Sequence, residues 1–296
     1  MIRYPAADLA TLEAAVDAAA PTWRARANQR TAANNAAGRF IDTASIWSEV
    51  KPVFMRFQHR KCAYCERPLA GEFAGLIEQD VEHFRPKSSV RAWPLAGQAP
   101  YPFSTGVAYP TGYYWLAYAV DNYAAACKPC NSARKSNFFP IAANDRGTFN
   151  TAPPELNAIE APLLVYPLGA CDEDPENIIA FEGIVAVPVD ADGPLNQRAV
   201  VTIDFFALND REELWSERFR VIREVWTHYD RTQGHPDPDE RTAAEETLRE
   251  LTREDAPHAS CARSFMRQIA ADPLEAFEMF KLARKANQAR PRPQEN

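Results

Sequence analysis

Two cysteine pairs, Cys62-Ala-Tyr-Cys65 and Cys127-Lys-Pro-Cys130, carry the most specific chemistry in the chain. Four thiolates are enough for a closed tetrahedral Zn²⁺ site, and a zinc with no open ligand position fastens a fold and does not catalyse. Sixty-one residues lie between the pairs, too many for a compact zinc ribbon, so the metal would join the two ends of an inserted element. That element contains Glu82-His83 followed by Pro86-Lys87, then Asn122 five residues before Cys127, and Asn131 comes directly after Cys130. In a reducing compartment, paired Cys-x-x-Cys units favour metal over disulfides. The remaining cysteines, Cys171 and Cys261, stand alone and read as small buried apolar residues.

The order acid-His, then Asn, then Cys-x-x-Cys-Asn resembles the pattern of the HNH endonuclease superfamily. CAYC (62–65), DVEHFRPK (80–87) and YYWLAYAVDNYAAACKPCNSARKSNFFP (113–140) together resemble its ββα-metal finger, here zinc-stapled. Within the superfamily the style is similar to prokaryotic defence-associated proteins, such as the PtuB nuclease subunit of Septu systems and retron-linked relatives. The resemblance implies a metal-dependent endonuclease that hydrolyses DNA phosphodiester bonds, an antiphage-defence effector working with an ATPase partner subunit. It makes His83 the general base, since a neutral imidazole can take a proton from water near pH 7. Glu82 and the amide oxygen of Asn131 become ligands of a catalytic Mg²⁺ or Mn²⁺, which prefers oxygen donors. Asn122 bonds across the hairpin to orient the His83 loop, and Lys87, Lys128, Arg134 and Lys135 are candidate phosphate clamps.

The sequence departs from the commoner pattern in two places. Many HNH proteins carry His where Asn131 stands and Asp where Glu82 stands. Glu82 shares its strand face with Asp80, so either could supply the metal-binding oxygen. Successive strand residues point opposite ways, so Glu82 and His83 converge only where the strand ends or twists. Asn131 also suits the N-cap of a helix starting at Ser132. Either Arg134 or Lys135 could fill the basic position. Thirty-eight residues separate His83 from Asn122, leaving the 88–121 loop to contact substrate or cover the site. Two other readings stay open: an HNH nuclease that cleaves RNA, and a non-catalytic zinc-finger module that binds nucleic acid or protein. A mere binding module has no need of Glu82-His83 together with Asn131.

The elements that must position these residues are mostly helical. ADLATLEAAVDAAA reads as a helix ending at Pro21, and TASIWSEVKPVFMRFQHR as a second, bent or restarted at Pro52, which delivers the chain to Cys62. IEQDVEHFRPKS is a strand candidate; 91–112 is a Pro-, Gly- and aromatic-rich loop; GYYWLAYAVDNY reads as a short buried helix. After an irregular stretch from 150 to 175, NIIAFEGIVAVPV alternates about Glu182-Gly183 as a β-hairpin does. VVTIDFFAL is a strand candidate running into NDREELWSERFRVIREVWTHYD, where Asn209 with Glu212 resembles a capping box. Two amphipathic helices follow, at 239–254 and about 258–287, and the tail ARPRPQEN reads as disordered.

The 296 residues carry a net charge of −7, but the charge is uneven. Lys51 to Pro140 holds 11 Lys+Arg against 6 Asp+Glu, a basic island that suits a polyanion. No apolar run approaches the ~20 residues that span a bilayer, and the first residues lack the pattern of a signal peptide; a cytoplasmic location is expected. The fold class expected is α+β and mainly helical. It comprises an N-terminal helical region (1–58), an HNH domain with its four-cysteine structural zinc (59–145), and a mixed, then helical, C-terminal region (146–296) with a hairpin near 178–189. The acidic helices of 190–290 offer amphipathic surface for a partner or for a second copy of the chain.

Overall fold

The computed structural model describes residues 1–42, 44–69, 79–95, 97–98 and 101–289, with the side chains of Gln79 and Asp80 outside that set. The protein is α+β and mainly helical, with two small antiparallel sheets. No helix among the described residues is long and apolar enough to cross a membrane. The 290–296 part of the tail lies outside the described residues.

Helix α1 (Leu9–Ala19) starts where the Asp8 carboxylate accepts from Thr11 N at 3.0 Å, and it stops before Pro21. Helix α2 (Trp23–Ala37) ends at Gly38, whose φ of +63° places it in the left-handed region that glycine tolerates. Pro52 restarts the chain: a 3₁₀ turn, Trp47–Val50, passes into α3 (Lys51–Phe57) with the proline in its first turn. At the end of α3 the buried Gln58 side chain accepts from Ala125 N at 2.7 Å and donates to Ala125 O at 2.8 Å. That pair of bonds sets the helix against the strand containing Ala125.

Strands β1 (Gln79–His83) and β2 (Tyr123–Cys127) pair antiparallel, Gln79 opposite Cys127 and His83 opposite Tyr123. The short buried helix expected over 112–123 is not formed. Two 3₁₀ turns, Tyr114–Leu116 and Val120–Asn122, lead instead into β2, whose five residues are all buried. The extended backbone from Tyr123 is what the register with β1 requires, and Ala124, Ala125 and Ala126 are small enough to be covered on both faces. Gly112 (φ +59°) packs so closely on 86–89 that a Cβ would lie 2.6 Å from Ser89 N. Beyond β2 comes a π-helical segment, α4 (Pro129–Lys135), then α5 (Pro153–Glu160) and α6 (Pro175–Ile178).

The hairpin β3 (Ile179–Glu182) and β4 (Val185–Pro188) turns at Gly183 (φ +56°), where the alternating pattern puts it. VVTIDFFAL is not a strand. Its residues 200–205 belong to α7 (Gly193–Phe205), which Pro194 opens, the buried Ala199, Thr202 and Ile203 falling at helical spacing, and Phe206 caps the helix end. Nor does Asn209 cap the next helix. Its amide bonds both Ala186 N and Ala186 O at 2.8 Å, so it serves β4, and α8 (Glu212–Gly234) begins after Arg211 without a side-chain cap. The last predicted helix is two: α9 (Pro238–Leu251) is followed by α10 (Ala259–Ala271) and α11 (Pro273–Gln288), separated at Asp272-Pro273. Asp272 caps α11, accepting from Leu274 N and Glu275 N. Of the lone cysteines, Cys261 is buried and Cys171 half-buried.

A polar network locks the segment after β1 onto α5. Arg85 is 1% exposed, and its Nε donates to Glu160 Oε2 at 2.9 Å while Nη2 donates to Asn157 Oδ1 at 2.8 Å. Tyr113 OH (2.6 Å) and Gly147 N (2.9 Å) donate to the other carboxylate oxygen. Removing one member of a buried pair strands its partner's charge, at about 3–5 kcal/mol. Glu160→Ala should therefore lower unfolding stability by about 3–5 kcal/mol, measured by urea titration. A loss under about 1 kcal/mol, the level of a surface pair, would show that the network bears no such strain.

Candidate functional site

The four cysteines come together. Cys62, Cys65, Cys127 and Cys130 are buried, and their sulfurs all lie within 4.8 Å of one another. The Sγ atoms of Cys65 and Cys127 are 3.7 Å apart. Zinc–sulfur bonds of about 2.3 Å in a tetrahedron put sulfurs about 3.8 Å apart, so the cluster suits a metal such as zinc. The backbone is shaped to it: Cys62 N donates to Arg67 O, Glu66 N to Cys62 O, and Cys127 N to the Cys62 sulfur at 3.4 Å. Arg211, just ahead of α8, donates from Nη1 to the Cys130 sulfur at 3.2 Å. A guanidinium there offsets the negative charge of thiolates. Burial pushes the Cys62 and Cys130 thiols up, whereas hydrogen bonding from its three neighbours lowers Cys127.

Where β1 ends, a cleft of about 470 Å³ is lined by Trp47, Glu82, His83, Lys87, Ser88, Asn131, Ser132 and Asn137, among others. Glu82, His83 and Asn131 thus share one cavity. His83 is the last residue of β1, and the end of the strand is where adjacent side chains can reach the same side. Its ring is clamped edge-on between Trp47 (centroids 4.9 Å) and Tyr123 (5.0 Å). His83 Nε2 lies 3.0 Å from Ala117 O, an oxygen that only accepts, so Nε2 carries the proton and Nδ1 the lone pair. Burial, aided by the Lys87 and Lys135 charges, holds the imidazole well below the usual histidine range, and it is neutral at pH 7.

Asn122 is a brace behind the cleft. Its Oδ1 accepts from Arg85 N at 2.7 Å, and its Nδ2 donates to Arg85 O (3.0 Å) and Leu116 O (3.2 Å). It thereby ties the chain just after His83 to the turn just before β2. Asn131 is half-buried within α4, which starts at Pro129, so it is no N-cap; its carbonyl accepts from Ser136 N at 2.7 Å. Asp80, the alternative oxygen donor, has its side chain outside the described residues.

The basic residues divide. Lys87 lines the cleft with its Nζ 4.5 Å from the Trp47 ring centroid. Lys128 is exposed and Arg134 half-buried, and neither lines it. Lys135 is not on the surface at all: it is 0% exposed, with Nζ 3.2 Å from Glu82 Oε1 and donating to His83 O at 3.3 Å. Sequence reasoning missed Trp47 as a cleft wall and Arg85 as the anchor of the loop. Locally Trp47 reads only as part of an apolar helix face, and Arg85 lies inside the EHFRPK run with nothing nearby to mark its distant partner.

Comparison with protein-family models, with curated proteins and with solved structures finds no match. The resemblance to HNH proteins therefore rests on the sequence motifs alone.

Purified protein should contain about one zinc per chain, and Cys127→Ser should lose it together with cooperative unfolding. Elemental analysis and a thermal melt read both; a metal content near zero in folded wild type would refute the assignment.

Proposed function

We propose that the chain is a metal-dependent endonuclease of the HNH type that hydrolyses DNA, its β1–β2 pair and α4 forming a zinc-stapled ββα-metal finger. The observation that carries this reading is the convergence of Glu82, His83 and Asn131 on one cleft, with the His83 lone pair left on Nδ1.

Glu82 and the Asn131 amide offer oxygen donors, the type a hard divalent ion takes. Bound there, Mg²⁺ or Mn²⁺ would supply charge stabilisation to the phosphate and its leaving oxygen. His83 removes a proton from water at Nδ1, while the bond from Nε2–H to Ala117 O holds the ring and fixes its tautomer. The water oxygen bonds to phosphorus, the bond to the 3′ oxygen breaks, and that oxygen takes a proton from solvent. The products are a 3′-hydroxyl and a 5′-phosphate. Asn122 keeps His83 in place through Arg85, and Lys87 binds the phosphodiester at the cleft. Contacts of this kind read backbone and not bases, so sequence choice and restraint fall to a partner. An ATPase subunit and a role in antiphage defence, or a second copy of the chain, belong to this proposal through the resemblance alone.

Plasmid DNA incubated with Mg²⁺ or Mn²⁺ should be cut by wild type. His83→Ala and Asn131→Ala should each lower the rate, the former by about 10²–10⁴-fold. Cutting that survives both substitutions overturns the mechanism, and a labelled RNA in parallel decides between the two nucleic acids.

A further inference from the structure

By sequence Lys135 belongs to the basic island, yet its ammonium is sealed from solvent. Among the described residues it stands over the Phe139 ring (5.7 Å to the centroid) and meets Glu82 Oε1 (3.2 Å) and the carbonyl oxygen of His83 (3.3 Å), the consecutive residues at the end of β1 on which the proposed site depends. It is carried by the same helical segment as Asn131. Glu82 is the one carboxylate among the described residues that line the cleft, and Lys87 stands in the same lining. A single negative charge thus already faces a buried ammonium, and burial leaves their attraction far less screened than at a surface.

We propose that Lys135 is a resident cation of the cleft: it pins Glu82 and the His83 backbone in place, and a divalent ion that binds Glu82 does so against it. This rests on the endonuclease reading for the identity of the ion. The consequence is weak metal binding by the protein alone, with the charge balance completed by a polyanionic phosphodiester. The lysine positions the carboxylate and does not act on the reacting atoms.

The test is Mn²⁺ titration of zinc-loaded protein without nucleic acid, followed by calorimetry, on wild type, Lys135→Met, Lys135→Gln, Lys135→Arg and Lys135→Gln/Glu82→Gln. Removing the ammonium in Lys135→Met or Lys135→Gln should tighten Mn²⁺ binding by about tenfold or more, and Lys135→Arg should not. The glutamine amide keeps a donor for both oxygens, so that variant serves if the methionine variant fails to fold. The gain should vanish in the double variant. An Mn²⁺ affinity in Lys135→Gln equal to or weaker than wild type overturns the proposal, as does a gain that persists without Glu82. If Lys135→Gln gains affinity while no nucleic acid is cut, the endonuclease reading falls and the resident cation stands. If DNA is cut but the affinity does not move, the reverse holds.

Discussion

One short turn of helix bears on everything at the cleft. Within six residues α4 gives Cys130 to the thiol cluster, Asn131 to the cleft and Lys135 to Glu82. The cluster in turn joins α4 to Cys62 and Cys65, and so to the end of α3, where Gln58 grips β2. A displacement of α4 would therefore be felt at the sulfurs, at the cleft wall and at the end of β1 together. The arrangement holds because its members are buried and mutually paired, and because packed interiors yield little to local shifts.

Several charges inside the protein meet an opposite charge. Arg85 meets Glu160, Lys135 meets Glu82, and the Met1 amino group lies 2.6 Å from Glu66 Oε1 with both groups covered. Such pairs add little over apolar packing of the same shape, but each is costly to break from one side. Their effect here is geometric. Arg85 connects a loop and a helix 75 residues apart, and through Asn122 the same arginine's backbone keeps the end of β1 against the start of β2.

How much of this could be read from sequence depends on how local the signal is. The cysteine cluster was legible because Cys-x-x-Cys spacing has few other meanings, and the grouping of Glu82, His83 and Asn131 because their order along the chain is distinctive. The 178–189 hairpin was legible from alternation about a glycine. VVTIDFFAL misled because β-branched residues favour strands only weakly, and packing of one helical face against β4 and α6 overrode that preference. Asn209 misled because an amide that suits a cap also suits a strand edge, and the choice was made by Ala186, 23 residues away. Lys135 misled for the same reason: a lysine's burial is decided by a carboxylate that only the fold brings near.

The gauge of α4 has one more effect. In an α-helix the amide of residue 135, and not that of residue 136, would bond to the Asn131 carbonyl. The bond from Ser136 N to Asn131 O closes a ring one residue wider, and within that ring Asn131 stands on the cleft wall while Lys135 is buried against Glu82. One wide turn therefore carries, side by side, an amide left open to incoming ligands and a charge withdrawn from solvent.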